Sequence, residues 1–486
     1  MASQTPSSST PTSQDFSRDS SGTTASSADV VALRERLDGL LEQSLAELQD
    51  LVRIPSIAFE GYDREGVETS ARAVADLLRS TGLPDVRIER VEGGSPAVIA
   101  RRPAAEGRPT VMLYAHHDVQ PTGDEAAWTS APFEPEIRGD RLYARGAADD
   151  KAGVMAHVTA LRLVGEELAE RGIGVTVFVE GEEECGSPTF RPFIETFAED
   201  LSADVIVVAD SANWAVGTPA LTTSLRGVVD LTVTVRSLKH AVHSGMFGGP
   251  ALDALTLLSR LIATLHDEDG SVAVEGLVVA NDPQVDMPEA DYRRDAGTVD
   301  TLELAGTGPL TARLWTRPAL AVIGIDATPV QQASNTLIPE ARAKLSLRIP
   351  PGQEPRAAMD ALVGHLESHA PFGAEVVIER GEEGRPYAAG DDTPGMRLAR
   401  SAFARAWDTD AVDTGLGGSI PFIADLLEVF PRAEVLVTGV EDPDSRAHGI
   451  DESLHLGEFA RVCIAEALLL RDAAELPAAQ TGAARD

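Results

Sequence analysis

Thr110-Val-Met-Leu-Tyr-Ala115, followed at once by His116-His117-Asp118, is the stretch that decides the fold. The apolar run is too short for a helix of ordinary length and reads as a buried strand. Three other runs share its character: Gly174-Val-Thr-Val-Phe-Val179, Asp204-Val-Ile-Val-Val-Ala209 and Glu434-Val-Leu-Val-Thr438. Helical patterns lie between them, as at 152–170. Strands alternating with helices predict an α/β fold with a largely parallel central sheet.

Working outward, Leu33, Leu37, Leu41, Leu45 and Leu48 fall at helical spacing and predict one amphipathic helix over 30–52. Val67, Ala71, Val74 and Leu78 predict a second over 64–80. Between about 223 and 389 the pattern changes. Residues 228–235 and 343–349 alternate apolar with polar, as half-buried strands do, and 374–379 reads as a third strand. Helices are expected at 251–266 and 354–368. This is the signature of an inserted α+β unit, an antiparallel sheet covered by helices. The chain then returns to the first unit through a helix at 396–407 and closes with one at 457–472. The expected division is a Ser/Thr-rich disordered tail over 1–28, a catalytic domain over 29–222 and 390–475, the insert over 223–389, and a second disordered tail over 476–486.

The bulk composition narrows the partners. The chain has 486 residues, 43% hydrophobic and 24% charged, which is enough for two packed domains without staples. Its formal net charge of -36 repels phosphate backbones and anionic membrane surfaces, so neither nucleic acid nor membrane is expected as a partner. No apolar stretch is long enough to span a bilayer. Two cysteines, Cys185 and Cys463, are too few for a disulfide framework and fit the reducing cytoplasm.

The chemistry sits where the strands end. His116, His117 and Asp118 follow the first run, Glu180-Gly-Glu-Glu-Glu184 the second, Asp210 the third, and His448 comes after the loop beyond the fourth. Ligands of open α/β sheets bind at the carboxyl ends of strands, so four such ends can converge on one site. Any one of these carboxylates alone reads as a solvated surface group, and any one histidine as a satisfied core or loop residue; the four placements together point to a site. A fifth element, Gly146-Ala-Ala-Asp149-Asp150-Lys-Ala-Gly153, sets two adjacent carboxylates in a tight turn. Imidazole nitrogen with carboxylate oxygen suits zinc, with manganese and cobalt as alternatives. A hydrolytic metal pair lies about 3.5–4 Å apart and needs a shared carboxylate. Adjacent glutamates can divide the work, one binding metal and one moving protons.

These segments resemble the M20 metallopeptidase family, and within it the dipeptidase and carnosinase-like branch. Tyr114-Ala-His116-His-Asp118-Val-Gln-Pro121 is similar to the His-x-Asp-Val-x-Pro signature, Arg145-Gly-Ala-Ala-Asp149-Asp-Lys151 to Arg-Gly-x-x-Asp-x-Lys, and Glu180-Gly-Glu-Glu183-Glu184-Cys-Gly186-Ser187 to Glu-Gly-x-Glu-Glu-x-Gly-Ser. His243-Ser-Gly245, Gly417-Gly-Ser419 and Ala447-His448 follow in the family's order, and the likeness runs from about residue 30 to 475. It implies a zinc-exopeptidase-type catalytic domain and an inserted lid through which two copies dimerise. It implies that His116 and Asp210 hold one ion, Glu184 and His448 the other, and that Asp149 bridges them. Glu183 would be the general base and Asp118 the carboxylate behind His116. His243 would reach the site from the lid and stabilise the oxyanion. Arg348 would bind the substrate carboxylate, with Asn335 and Ser419 as further substrate contacts. It also implies a cis peptide between Asp149 and Asp150.

Two segments depart from the carnosinase-like pattern. Gly415-Leu416 stands where those members carry Arg-Glu, and Glu382-Glu-Gly-Arg-Pro-Tyr387 where they carry His-Gly-Gly-Lys-Pro-Trp. Both changes put carnosine in doubt as substrate and leave the ligand set intact. The expected activity is hydrolysis of dipeptides or similar small amides bearing a free carboxylate. The competing readings are an N-acyl-amino-acid deacylase or carbamoylase on the same core, and a non-catalytic binding protein that keeps the fold.

Overall fold

The structure is a computed structural model that describes residues 23–390, 392–418 and 421–476. Among the described residues nine strands form the central sheet, in the order Asp85–Glu89, Ala97–Arg102, Gly174–Glu180, Thr110–His116, Val205–Val208, Glu434–Val437, Ala220–Leu225, Tyr387–Ala388, with Val412–Leu416 also beside Ala220–Leu225. The four apolar runs of the sequence are its four adjacent inner strands, and they run parallel. Antiparallel strands flank them on both margins.

Helices cover both faces, which is why Gly174–Glu180 is buried along its whole length instead of alternating. One face packs the helices Lys151–Arg171, Leu456–Asp472 and Pro394–Trp407 through Val154, Leu161, Phe403, Leu468 and their neighbours. The other is aromatic: Tyr114 and Phe178 meet Phe190, Phe193 and Phe422 from the helices Phe190–Thr196 and Pro421–Val429. Their rings pack mostly tilted and edge-on, as the ring quadrupole favours.

A second sheet of four antiparallel strands runs Ala319–Asp326, Glu340–Ile349, Gly227–Arg236, Glu375–Gly384. Burial in Glu340–Ile349 alternates residue by residue, so the period-two reading of the sequence reports a sheet wet on one face. Its dry face carries Val229, Leu231, Val233, Leu345 and Leu347 against Leu258, Leu261, Met359 and Leu362 of the helices Ala254–Ile262 and Pro355–Ser368. Ala220–Leu225 and Tyr387–Ala388 pair with each other in the central sheet, so the chain enters and leaves the second sheet through adjacent strands.

Three details differ from expectation. The helix predicted over 30–52 is two helices, Thr23–Asp38 and Leu41–Val52. Gly39 breaks it, since glycine is the poorest helix former apart from proline. The first of the two starts inside the stretch expected to be a tail; residues 1–22 and 477–486 lie outside the described residues. The helix expected over 251–266 is shorter, because Asp253 caps it by accepting the Thr256 N–H at 2.9 Å.

Candidate metal centre

Each inner strand delivers its polar residue at its carboxyl end. His116 is the last residue of Thr110–His116, Glu183 and Glu184 lie in the short turn beyond Gly174–Glu180, Asp210 lies two residues past Val208, and His448 ends the loop after Glu434–Val437. Asp149 comes from the turn before the helix Lys151–Arg171, and its peptide bond to Asp150 is cis.

The structure brings the expected ligands together. Asp149 faces two histidines with its two oxygens: Oδ1 lies 3.0 Å from His116 Nε2, and Oδ2 3.1 Å from His448 Nε2. His448 Nε2 is also 3.1 Å from Glu184 Oε2. Ligand atoms of His116, Asp149 and Glu184 lie within 4.8 Å of one another, and so do those of His116, Glu183 and Asp210. Glu183, expected as a base only, thus stands as close to His116 and Asp210 as a ligand does. Asp150, the neighbour of Asp149, belongs to neither group; its carboxylate accepts the His116 N–H at 3.1 Å.

Hydrogen bonds behind the cluster aim these groups. His116 Nδ1 donates to the Asp118 carbonyl oxygen at 3.1 Å. A carbonyl only accepts, so Nδ1 holds a proton, and Nε2, which faces Asp149, is the nitrogen that would bind a metal. The Asp118 carboxylate also stands behind that nitrogen, at 3.4 Å, and it accepts the N–H groups of Glu183 and Glu184, both at 3.1 Å. Asp118 therefore fixes the backbone of the two glutamates as well as the ring of His116. Gln120 orients Glu184, with its N–H on Oε1 at 3.1 Å and its amide on Oε2 at 2.8 Å.

Sequence reasoning missed Glu452, although it follows His448 by only four residues. Its carboxylate is fully buried and accepts the N–H groups of Gly146, Ala148 and Asp149 at 3.0, 2.9 and 3.1 Å, and the Arg145 guanidinium at 2.7 Å. One side chain thus ties the Asp149 turn to the loop that carries His448. Glu452→Ala should destabilise the fold by about 3–5 kcal/mol, the cost of stranding one member of a buried ion pair. It should also weaken metal affinity by about 10–100-fold, as lost support of ligands does. Denaturant unfolding and equilibrium dialysis measure the two effects.

The electrostatics ask for positive charge. Burial pushes the Glu183 carboxyl well up, and Asp210 up to about 7. Burial also raises Glu441, a half-buried neighbour that the sequence did not single out, with Asp149 and Asp210 adding to the effect. Hydrogen bonds to Asp149 and Glu184 push the His448 imidazole up to about 11, because the ring stands among carboxylates. Divalent cations would supply the positive charge this cluster lacks, and the donors present are the carboxylate oxygens and imidazole nitrogens that zinc, manganese and cobalt accept. The residues fit a pair of such ions. Two other histidines are structural, as expected. His117 is buried against the Pro96 carbonyl and pushed down to about 4 by burial, and His157 is held by Glu466 and the Tyr114 carbonyl.

The remaining expected residues lie outside the ligand groups. His243 is exposed, and its Nδ1 accepts the Gly245 N–H. Residues 242–243 pair with 336–337, and the Ser244 N–H reaches the Asn335 carbonyl, so His243 and Asn335 are neighbours. Arg348 lies half-buried in Glu340–Ile349, opposite Val228. Beside it, Arg226 is buried and donates from Nε to the Gly417 carbonyl at 3.0 Å; burial and the charge of Arg348 bring Arg226 down to about 10. Ser419 lies outside the described residues.

The model of peptidase family M20/M25/M40 matches residues 112–472. The chain is 35% identical over 434 residues to the cysteinylglycine-S-conjugate dipeptidase of Corynebacterium striatum, covering 88% of this chain and 95% of that one. It is 26% identical over 477 residues to a Cys-Gly metallodipeptidase of Candida albicans, covering 91% and 97%. Its fold matches the crystal structure of human carnosine dipeptidase 1 with a TM-score of 0.73 at 21% identity, covering 92% of this chain and 99% of that one.

Proposed function

Because the chain belongs to peptidase family M20/M25/M40, we propose that it hydrolyses the amide bond of dipeptides with a pair of divalent ions, zinc being the expected metal. The observation that carries the proposal is Asp149, whose two oxygens face His116 at 3.0 Å and His448 at 3.1 Å. In this reading His116 and Asp210 hold one ion, Glu184 and His448 the other, and Asp149 spans them. When bound, such a pair supplies Lewis-acid activation of the scissile carbonyl and of the attacking water.

The chain's own groups do the rest. Glu183 takes the proton of the attacking water and returns it to the leaving nitrogen. Asp118 holds Glu183 in place through its backbone N–H. Arg348 pairs with the substrate carboxylate, a task that suits a planar guanidinium, and Asn335 and Ser419 add contacts. His243 braces the developing oxyanion. It lies exposed on the second sheet's unit, so the reading requires the lid to close or a second copy of the chain to supply it. A homodimer formed by that unit serves this purpose. Support comes from the strand Ala319–Asp326, an edge of the second sheet that leaves Val322, Ile323 and Ile325 exposed. A cytoplasmic location fits two unpaired cysteines and the absence, among the described residues, of any helix long and apolar enough to cross a membrane.

The name of the Corynebacterium relative directs the substrate choice to Cys-Gly and its S-substituted forms. The test is a panel offered to the metal-reconstituted chain: Cys-Gly, S-methyl-Cys-Gly, β-Ala-His, N-acetyl amino acids and N-carbamoyl amino acids. The proposal expects the Cys-Gly peptides to lead in kcat/KM, by at least tenfold over any N-blocked compound. Preference for an N-acetyl or N-carbamoyl substrate would make the enzyme a deacylase or carbamoylase.

A further inference from the structure

A pair of divalent ions repels an ammonium group. In a dipeptide the α-amino nitrogen lies only about 2.5 Å from the scissile carbonyl carbon, two bonds away. A substrate with a free amino terminus therefore needs a carboxylate beside the ions that is not itself consumed as a ligand. His116, Asp149, Glu183, Glu184 and Asp210 make up the two ligand groups, and Glu441 belongs to neither.

The backbone locks Glu441 to the segment that follows Asp210. The Thr438 N–H reaches the Val208 carbonyl at 2.8 Å, Glu441 forms a parallel bridge with Ala212, and the Asn213 N–H reaches the Glu441 carbonyl at 2.8 Å. Gly439 permits this approach, because a Cβ there would lie 1.5 Å from the Ser211 carbonyl oxygen. The Glu441 side chain is half-buried and feels the charges of Asp149, Asp210, Glu452 and His448. Among the described residues no hydrogen bond or ion pair holds its carboxylate, whereas the nearby Glu452 is held by several N–H groups.

We propose that Glu441 receives the α-ammonium group of the substrate and sets the preference for unblocked dipeptides over N-acylated amino acids. The inference rests on the reading of the site as a metal-dependent dipeptidase and adds the group that recognises the free amine. The uncharged amide of a glutamine keeps the size of the side chain and removes the ionic attraction.

The test compares the wild-type chain with Glu441→Gln, both metal-reconstituted, on Ala-Gly and on propionyl-glycine, which differ only in the α-amino group. Propionyl-glycine is followed by cleavage or, where cleavage is slow, by its Ki against Ala-Gly. The expected result is a KM for Ala-Gly raised at least tenfold, propionyl-glycine affinity within twofold of wild type, and wild-type metal content. Equal effects on both compounds, an unchanged KM for Ala-Gly, or the loss of one ion would each overturn the proposal, the last by making Glu441 a ligand. Wild-type cleavage of Ala-Gly with no change in Glu441→Gln would sink this inference alone. A wild-type chain that cleaves no dipeptide would sink the proposed function with it.

Discussion

Glu183→Ala is expected to lower kcat by about 10²–10⁴-fold, the contribution of a well-placed general base, while both ions stay bound. The side chain sits with His116 and Asp210 in one ligand group, so it has the reach to meet a water between the metals and the scissile carbon. Its backbone is held by Asp118 whatever its side chain, so truncation leaves the turn in place. Metal analysis alongside steady-state kinetics separates the roles. A variant that loses turnover and keeps two ions has lost a base. A variant that loses an ion has lost a ligand, and one that keeps wild-type turnover removes Glu183 from the mechanism.

Asp149→Ala should do more damage. This side chain is the one that faces both histidines, so its removal weakens both ion sites at once. With the ions gone the attacking water loses the activation that would bring its pKa down toward about 7, and no carbonyl is polarised. The loss of kcat/KM should therefore exceed the about 10⁴-fold ceiling set for a base alone. Metal binding followed by calorimetry should show both affinities reduced. Loss of one ion with the other held at wild-type affinity would contradict a shared carboxylate.

Much of this was legible in the sequence, for a physical reason. The inner strands are buried on both faces, and unbroken apolar runs such as Thr110–Ala115 announce that condition directly. A strand's carboxyl end is fixed once the strand is, so His116, Glu184 and Asp210 could be placed before any coordinates. The second sheet has one wet face, and its alternation over 343–349 was equally plain. What stayed hidden depends on partners distant in sequence. Glu452 matters because it meets N–H groups some 300 residues earlier, at Gly146, Ala148 and Asp149. No local pattern marks such a tie. Glu441 is one glutamate in an acidic chain until the bridge to Ala212 sets it beside Asp210. The break at Gly39 was missed because leucine spacing stays in phase on either side of it. The mutual position of Glu183 and Glu184 came from the resemblance; the amide bonds to Asp118 supply its physical basis.

The central claim is that His116, Asp149, Glu184, Asp210 and His448 hold two ions. Anomalous scattering at the zinc edge, from crystals of the full chain grown with zinc, tests it most directly. The account predicts two peaks about 3.5–4 Å apart, with the Asp149 carboxylate between them. A single peak at the strand ends, or a pair bound by other residues, would contradict it.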